Sequence, residues 1–119
     1  MATKKLRSTL QSHSAWLRGE GGSRADLSYT DLTGVRLAGA NLAEASFVAS
    51  VLVKANLWRA NLCGADLSNA DLREADLSGA RLQHANLEGA DLRNADLRGA
   101  DIQFARMVGA NLDGAILEY

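Results

Sequence analysis

The chain has 119 residues and a formal net charge of −1, with 5% aromatic residues, no proline, and a hydrophobic content of 47% that is mostly Ala and Leu. That bounds it to one domain with a uniform core of small pieces, and it excludes the strong global charge of a nucleic-acid binder or an extreme acidic surface. The single cysteine, Cys63, permits no internal disulfide, and no apolar run approaches the roughly 18 residues of a membrane span, so a cytoplasmic location is expected.

Residues 1–24 form the first unit. Leu6, Leu10, His13 and Leu17 recur at helical spacing with Trp16 beside them, and Gly19, Gly21 and Gly22 then stop the helix. The segment lacks the continuous apolar stretch of a secretory signal. Its basic, Ser/Thr-rich composition, free of acids up to Glu20, leaves an organelle transit peptide as the alternative to a plain structural helix. The stretch GEGGSR lacks the GK[ST] ending of a phosphate loop and follows a helix where that motif needs a strand, so it reads as a linker.

From Ala25 the chain changes character. Nineteen pentapeptides run without a slip through residues 25–119. The third position is Leu in sixteen, the first is Ala in sixteen, the second is mostly Asp or Asn, and the fifth is Gly in eight. A period of five smears leucines around a helix and sends them to alternate faces of a strand. The chain must therefore turn once per pentapeptide. With each repeat as one side of a square, four repeats close a coil of twenty residues, and every leucine points inward. Glycine in the fifth position suits a turn that needs φ > 0. Coils then stack by backbone hydrogen bonds about 4.8 Å apart. The end of such a stack exposes an apolar layer and unpaired backbone groups and needs a cap, which residues 1–24 can supply.

The A(D/N)LXX pattern over 25–119 resembles the pentapeptide repeat proteins. The resemblance implies an all-β solenoid, a right-handed quadrilateral β-helix of about five coils, with the first and third positions facing in and the other three out. Handedness follows from the resemblance alone. HSAWLRGEGGSRADLS is similar to the lead-in before the repeats of some members, which agrees with a short N-terminal capping α-helix and linker in 1–24.

Catalytic, cofactor-binding and metal-binding residues are not expected. A Leu/Ala-filled square offers no convergent pocket. His84 lies in an outward fifth position without a Cys or His partner at ligand spacing, and His13 belongs to the cap. The function expected is a non-enzymatic scaffold that binds another protein, with neither a membrane nor nucleic acid as partner. Two regions break the polar surface. The coil 45–64 should expose Val48, Val51, Val53, Trp58 and Cys63, either as a protein contact centred on Val48, Val51, Val53 and Trp58 or as cover for the N-terminal segment folded back. Toward the C-terminus, Phe104, Val108, Ile116 and Tyr119 mark an uncovered end suited to a two-fold homodimer.

The resemblance also raises an alternative, because some members are DNA mimics that modulate DNA gyrase. Residues 25–119 hold 13 acids and 8 bases, or −5, whereas duplex DNA as long as five coils, roughly 23 Å, carries on the order of 14 charges. Arg36, Arg81 and Arg106 also occupy second positions, where the pattern prefers Asp or Asn. Charge therefore disfavours the mimic. The head is opposite in sign, +4 from five bases and Glu20.

Overall fold

The computed structural model describes residues 3–118. Its one helix, α1 (Thr3–Leu17), is followed by a coil whose backbone repeats every twenty residues. The bridges are all parallel and join residue i to i+20, from Asp26↔Ser46 to Asp96↔Ile116. The molecule measures 39 × 27 × 21 Å.

Repeats through the middle of the coil make the same bonds. The third-position N–H donates up to the next coil, as Leu27 does to Ser46 at 2.8 Å; the fifth does likewise, as Tyr29 does to Val48 at 2.8 Å. The second-position N–H donates back down, as Ser46 does to Ala25 at 3.0 Å. The corner is closed between consecutive repeats, as when Val35 N–H donates to the Leu32 carbonyl at 3.0 Å. The fifth position is the third residue of that four-residue turn. It has positive φ in every repeat from Tyr29 to Gly114, while the fourth position does not, which is the pattern of a type II turn. Ten of these corners carry a residue other than glycine.

The fourth-position N–H is left over by this scheme, and the second-position side chain takes it. All thirteen Asp or Asn residues at second positions accept from the N–H two residues on, as Asp76 does from Ser78 at 3.0 Å and Asn86 from Glu88 at 3.0 Å. These are Asx-turns, in which a short side-chain carbonyl imitates a backbone acceptor. The Asp/Asn preference is thus a device of the fold. Asp76→Asn keeps the acceptor and is expected to be near neutral. Asp76→Ala removes it and is expected to cost about 0.5–1.5 kcal/mol in urea unfolding.

Inside, first and third positions are buried through the middle coils. Leu52, Leu57, Leu62, Leu67, Leu72 and Leu77 are fully buried, and Phe47 fills a leucine position at 0% exposure. The two ends differ. At the N-terminal end α1 lies on the first coil, with Leu6 and Leu10 packed against the core. The helix stops in a Schellman motif: Gly19 (φ 71°) donates to Trp16 at 3.1 Å and Glu20 to Ala15 at 2.9 Å. The chain then doubles back so closely that Ser23 N–H reaches Ser12 Oγ at 2.9 Å. Residues 19–24 therefore form a return linker. In the last coil the same inward positions lie open: Ile102 and Leu117 are exposed, and Met107 and Leu112 are half-buried.

Candidate functional site

The square has four walls, so outward residues twenty apart form columns. Val48 stands on the wall that begins at Ala45, Val51 and Val53 on the wall that begins at Ser50, and Trp58 on the wall that begins at Ala55. The four residues of the first expected patch therefore occupy three walls. Only Val51 and Val53 share one, and Trp58 lies round the next corner. Burial also departs from expectation. Val48, Val51, Val53 and Cys63 are half-buried, while Trp58 is 47% exposed. The reason is the coil spacing: each outward side chain is flanked by neighbours in the coils above and below, as Val51 is between Asp31 and Asp71. The Cys63 thiol donates to Gln83 Oε1 in the next coil at 3.1 Å.

Trp58 is distinguished by its partner. The Arg59 guanidinium sits 4.9 Å from the indole centroid, a cation–π arrangement. The Arg59 stem crosses the space left by Gly79, where a Cβ would meet its Cγ at 3.0 Å. Among the described residues Arg59 forms no ion pair.

In the last coil, Phe104 (75%) and Val108 (77%) are the most exposed of the expected end residues, and Ile116 is exposed as well. Phe104 is not isolated, because its ring stacks on His84 one coil below, with centroids 5.0 Å apart. Tyr119 lies outside the described residues. Missing from the sequence expectation were Ile102, Met107, Leu112 and Leu117, the inward layer laid open at this end. Their third-position register could have identified them.

Charge divides along the long axis. Residues 1–60 hold 8 bases and 4 acids, giving +4, and residues 61–119 hold 5 bases and 10 acids, giving −5. In the acidic half, arginines sit on the carboxylates. Arg73 grips Asp71 at 2.7 Å and reaches Asp91 at 3.9 Å, Arg93 grips Asp91 at 2.6 Å, and Arg98 grips Asp96 at 2.7 Å. Arg106 pairs with Glu88. The stacked Asp71 and Asp91 are thereby compensated on their own wall.

The hydrogen bonds from these arginines hold Asp71, Asp91 and Asp96 below the usual carboxylate range. The Ser28 and Thr33 hydroxyls do the same for Asp26 and Asp31. Because folding lowers these values, the stabilisation is present above pH 3.8 and is lost as pH falls below it. By contrast, Arg36, Lys54 and Arg81 form no ion pair among the described residues.

A surface groove of about 380 Å³ lies between α1 and the first coil, lined by Leu6, Arg7, Leu10, Arg36 and Leu37 among others. Among the described residues no group of three or more His, Cys, Asp or Glu side chains could hold a metal ion, and no helix is long and apolar enough to cross a membrane.

Comparison with known proteins agrees with this geometry. No curated protein sequence matches the chain significantly. A solved pentapeptide repeat protein, Rfr23 from the cyanobacterium Cyanothece 51142, is 31% identical with a TM-score of 0.80, over 83% of this chain and 68% of that one. A pentapeptide repeat protein from the Arabidopsis thaliana thylakoid lumen is 36% identical with a TM-score of 0.57, over 71% of this chain and 63% of that one. QnrB1, a plasmid-mediated fluoroquinolone resistance protein, is 18% identical with a TM-score of 0.41, over 85% of this chain and 63% of that one. The first two of these neighbours make the fold a right-handed quadrilateral β-helix, and the described residues add one helix at its N-terminal end. The family profile of pentapeptide repeats matches 23–59, 40–79, 50–89 and 75–114, so with its register unbroken the chain belongs to the pentapeptide repeat family.

Proposed function

We propose that this protein is a non-enzymatic binding scaffold that presents its walls to another protein, with Trp58 and Arg59 as the anchor. The reading is supported by the contrast between inside and outside. First and third positions are consumed in packing, second positions in Asx-turns and fifth positions in corners, so recognition is left to fourth-position side chains and to corner residues larger than glycine. Trp58 is the large aromatic of that set on the middle coils, held half-open under the Arg59 guanidinium, which forms no ion pair among the described residues. Trp and Arg are the residue types that most often dominate binding energy at interfaces.

The gyrase-directed alternative has less support. Acids concentrate in residues 61–119, where arginines pair with Asp71, Glu88, Asp91 and Asp96, while residues 1–60 are net positive, so no continuous acidic wall runs the coil's length.

The test is quantitative capture of partners from the native host with wild type and Trp58→Ala. Loss of an interface anchor costs about 2 kcal/mol or more, so recovery of a specific partner is expected to fall roughly 30-fold. Equal recovery by both proteins would remove Trp58 from the interface.

A further inference from the structure

Two backbone bonds recur along the coil. A first-position N–H donates to the carbonyl three residues back, as Ala45 does to Leu42 at 3.0 Å. A fourth-position carbonyl accepts from the fifth-position N–H nineteen residues earlier, as that of Cys63 does from Glu44 at 2.8 Å. At the first repeat this register would give Ala25 the carbonyl of Gly22, and would give the carbonyl of Ala43 the N–H of Arg24. Neither bond is present. Instead Ala25 N–H donates to His13 Nδ1 at 2.9 Å, and His13 Nε2 lies 2.9 Å from the Ala43 carbonyl oxygen. One imidazole stands in for the backbone of a preceding repeat.

The two contacts dictate the ring's state. Nδ1 faces a donor and must be bare, and Nε2 faces an acceptor and must carry the hydrogen. The ring is 0% exposed and stacks on Trp16, with centroids 5.6 Å apart. A second proton has only Nδ1 to bind. There it would set N–H against N–H in a buried site and leave the Ala25 amide without an acceptor.

We propose that His13 is an acid-sensitive latch, whose protonation at Nδ1 breaks the bond from Ala25 and releases α1 from the first coil. Once released, the helix should melt, because an isolated fifteen-residue helix is marginal in water.

The charged groups acting on the ring come from the elements around it. Arg24 of the linker opposes an imidazolium and Glu44 of the first coil favours one, while α1 contributes the uncharged Trp16 indole. Burial, aided by Arg24, holds the ring below its ordinary value of 6.5 against the pull of the Ala43 carbonyl and Glu44. Above pH 6.5 the ring is neutral whether latched or free, and the latch acts in full. As pH falls below 6.5, a free ring takes up a proton that the latched ring refuses, and attachment weakens down to the latched ring's own lower value. The paired carboxylates act only below pH 3.8, so the cap should open before the coil is affected.

The experiment uses the full chain with Trp58→Phe, leaving Trp16 as the sole tryptophan, titrated from pH 7.5 to 4.5. The expected result is a reversible fall of at least twofold in helical ellipticity, with a midpoint below 6.5, and a red shift of Trp16 emission in step. His13→Gln supplies an acceptor oxygen and a donor nitrogen without a titrating proton and should be flat over this range. Glu44→Gln removes the charge that favours an imidazolium in the docked ring, so helix loss should move to higher pH.

If His13→Gln fails to dock α1 at pH 7.5, nitrogen NMR of the wild-type ring decides. The Nε2–H tautomer titrating below 6.5, in step with helix loss, supports the latch. A pH-independent helix signal in the parent, an identical acid transition in a docked His13→Gln, or a His13 that titrates at or above 6.5 would overturn it.

Discussion

Leu77→Ala is expected to cost about 2–5 kcal/mol, seen as a fall in thermal midpoint of roughly 8–20 °C. Leu77 is fully buried in the third coil, and its N–H and carbonyl are both engaged, with Asp96 at 2.8 Å and Ala80 at 3.0 Å. The backbone on either side is pinned by the ladders to the adjacent coils. The walls are therefore hindered from collapsing into the space vacated, which places the cost toward the upper part of the range. Leu112→Ala, in the half-open last coil, should cost distinctly less. An unchanged midpoint in Leu77→Ala, or equal losses from the two variants, would contradict the inward stacking.

Gly22→Ala is expected to have the second-largest effect, and to act on the cap. Gly22 has φ 71°, and a Cβ built there lies 2.1 Å from the Ser12 carbonyl oxygen. That oxygen is helix backbone and cannot rotate away, so the substitution adds a steric clash to the roughly 1–2 kcal/mol of a left-handed non-glycine residue. Gly21 is the control: its φ is 90° but a Cβ there would meet open space. Gly21→Ala should cost the backbone strain alone. Gly22→Ala should cost at least twice as much and expose α1 to amide exchange at neutral pH. Equal losses in the two variants would mean that the linker does not press on the helix.

The fold was legible because one arithmetic fact, the period of five, admits few shapes. Leu27 through Leu97 at third positions and glycine at eight corners together called for a chain that turns once per repeat, and both are found where that shape puts them. The role of the second position was less visible. Read as charge, Asp66 or Asp71 looks like solvated surface, yet thirteen such residues accept a fourth-position N–H. The signal was present in the alternation itself. Asp and Asn interchange there while Glu and Gln are absent, so the requirement is a short carbonyl rather than a negative charge.

The candidate surface was harder to see, since its residues are neighbours only after the chain has been wound. Val48 and Trp58 are ten residues apart in sequence and two walls apart in space. The stacking that brings Arg59 over Gly79 depends on a twenty-residue register. His13 was hidden for a related reason. Its spacing with Leu6, Leu10 and Leu17 marks it as one more residue on a packed helical face. The partner that gives it a distinct role, Ala43, lies thirty residues away and offers only a carbonyl, which no side-chain pattern reveals.

The wall geometry has a consequence for how such a chain can vary. Inserting or deleting five residues leaves every leucine pointing inward and every corner intact, so the interior does not register the change. Outside, however, each later residue moves a quarter turn, and every column beyond that point is dealt a new set of neighbours. A change of twenty restores the columns and alters only the length. Surface recognition in this fold can thus be reshuffled in units of five residues while folding proceeds undisturbed. The interior constrains composition, and the count of repeats between two residues decides which of them meet.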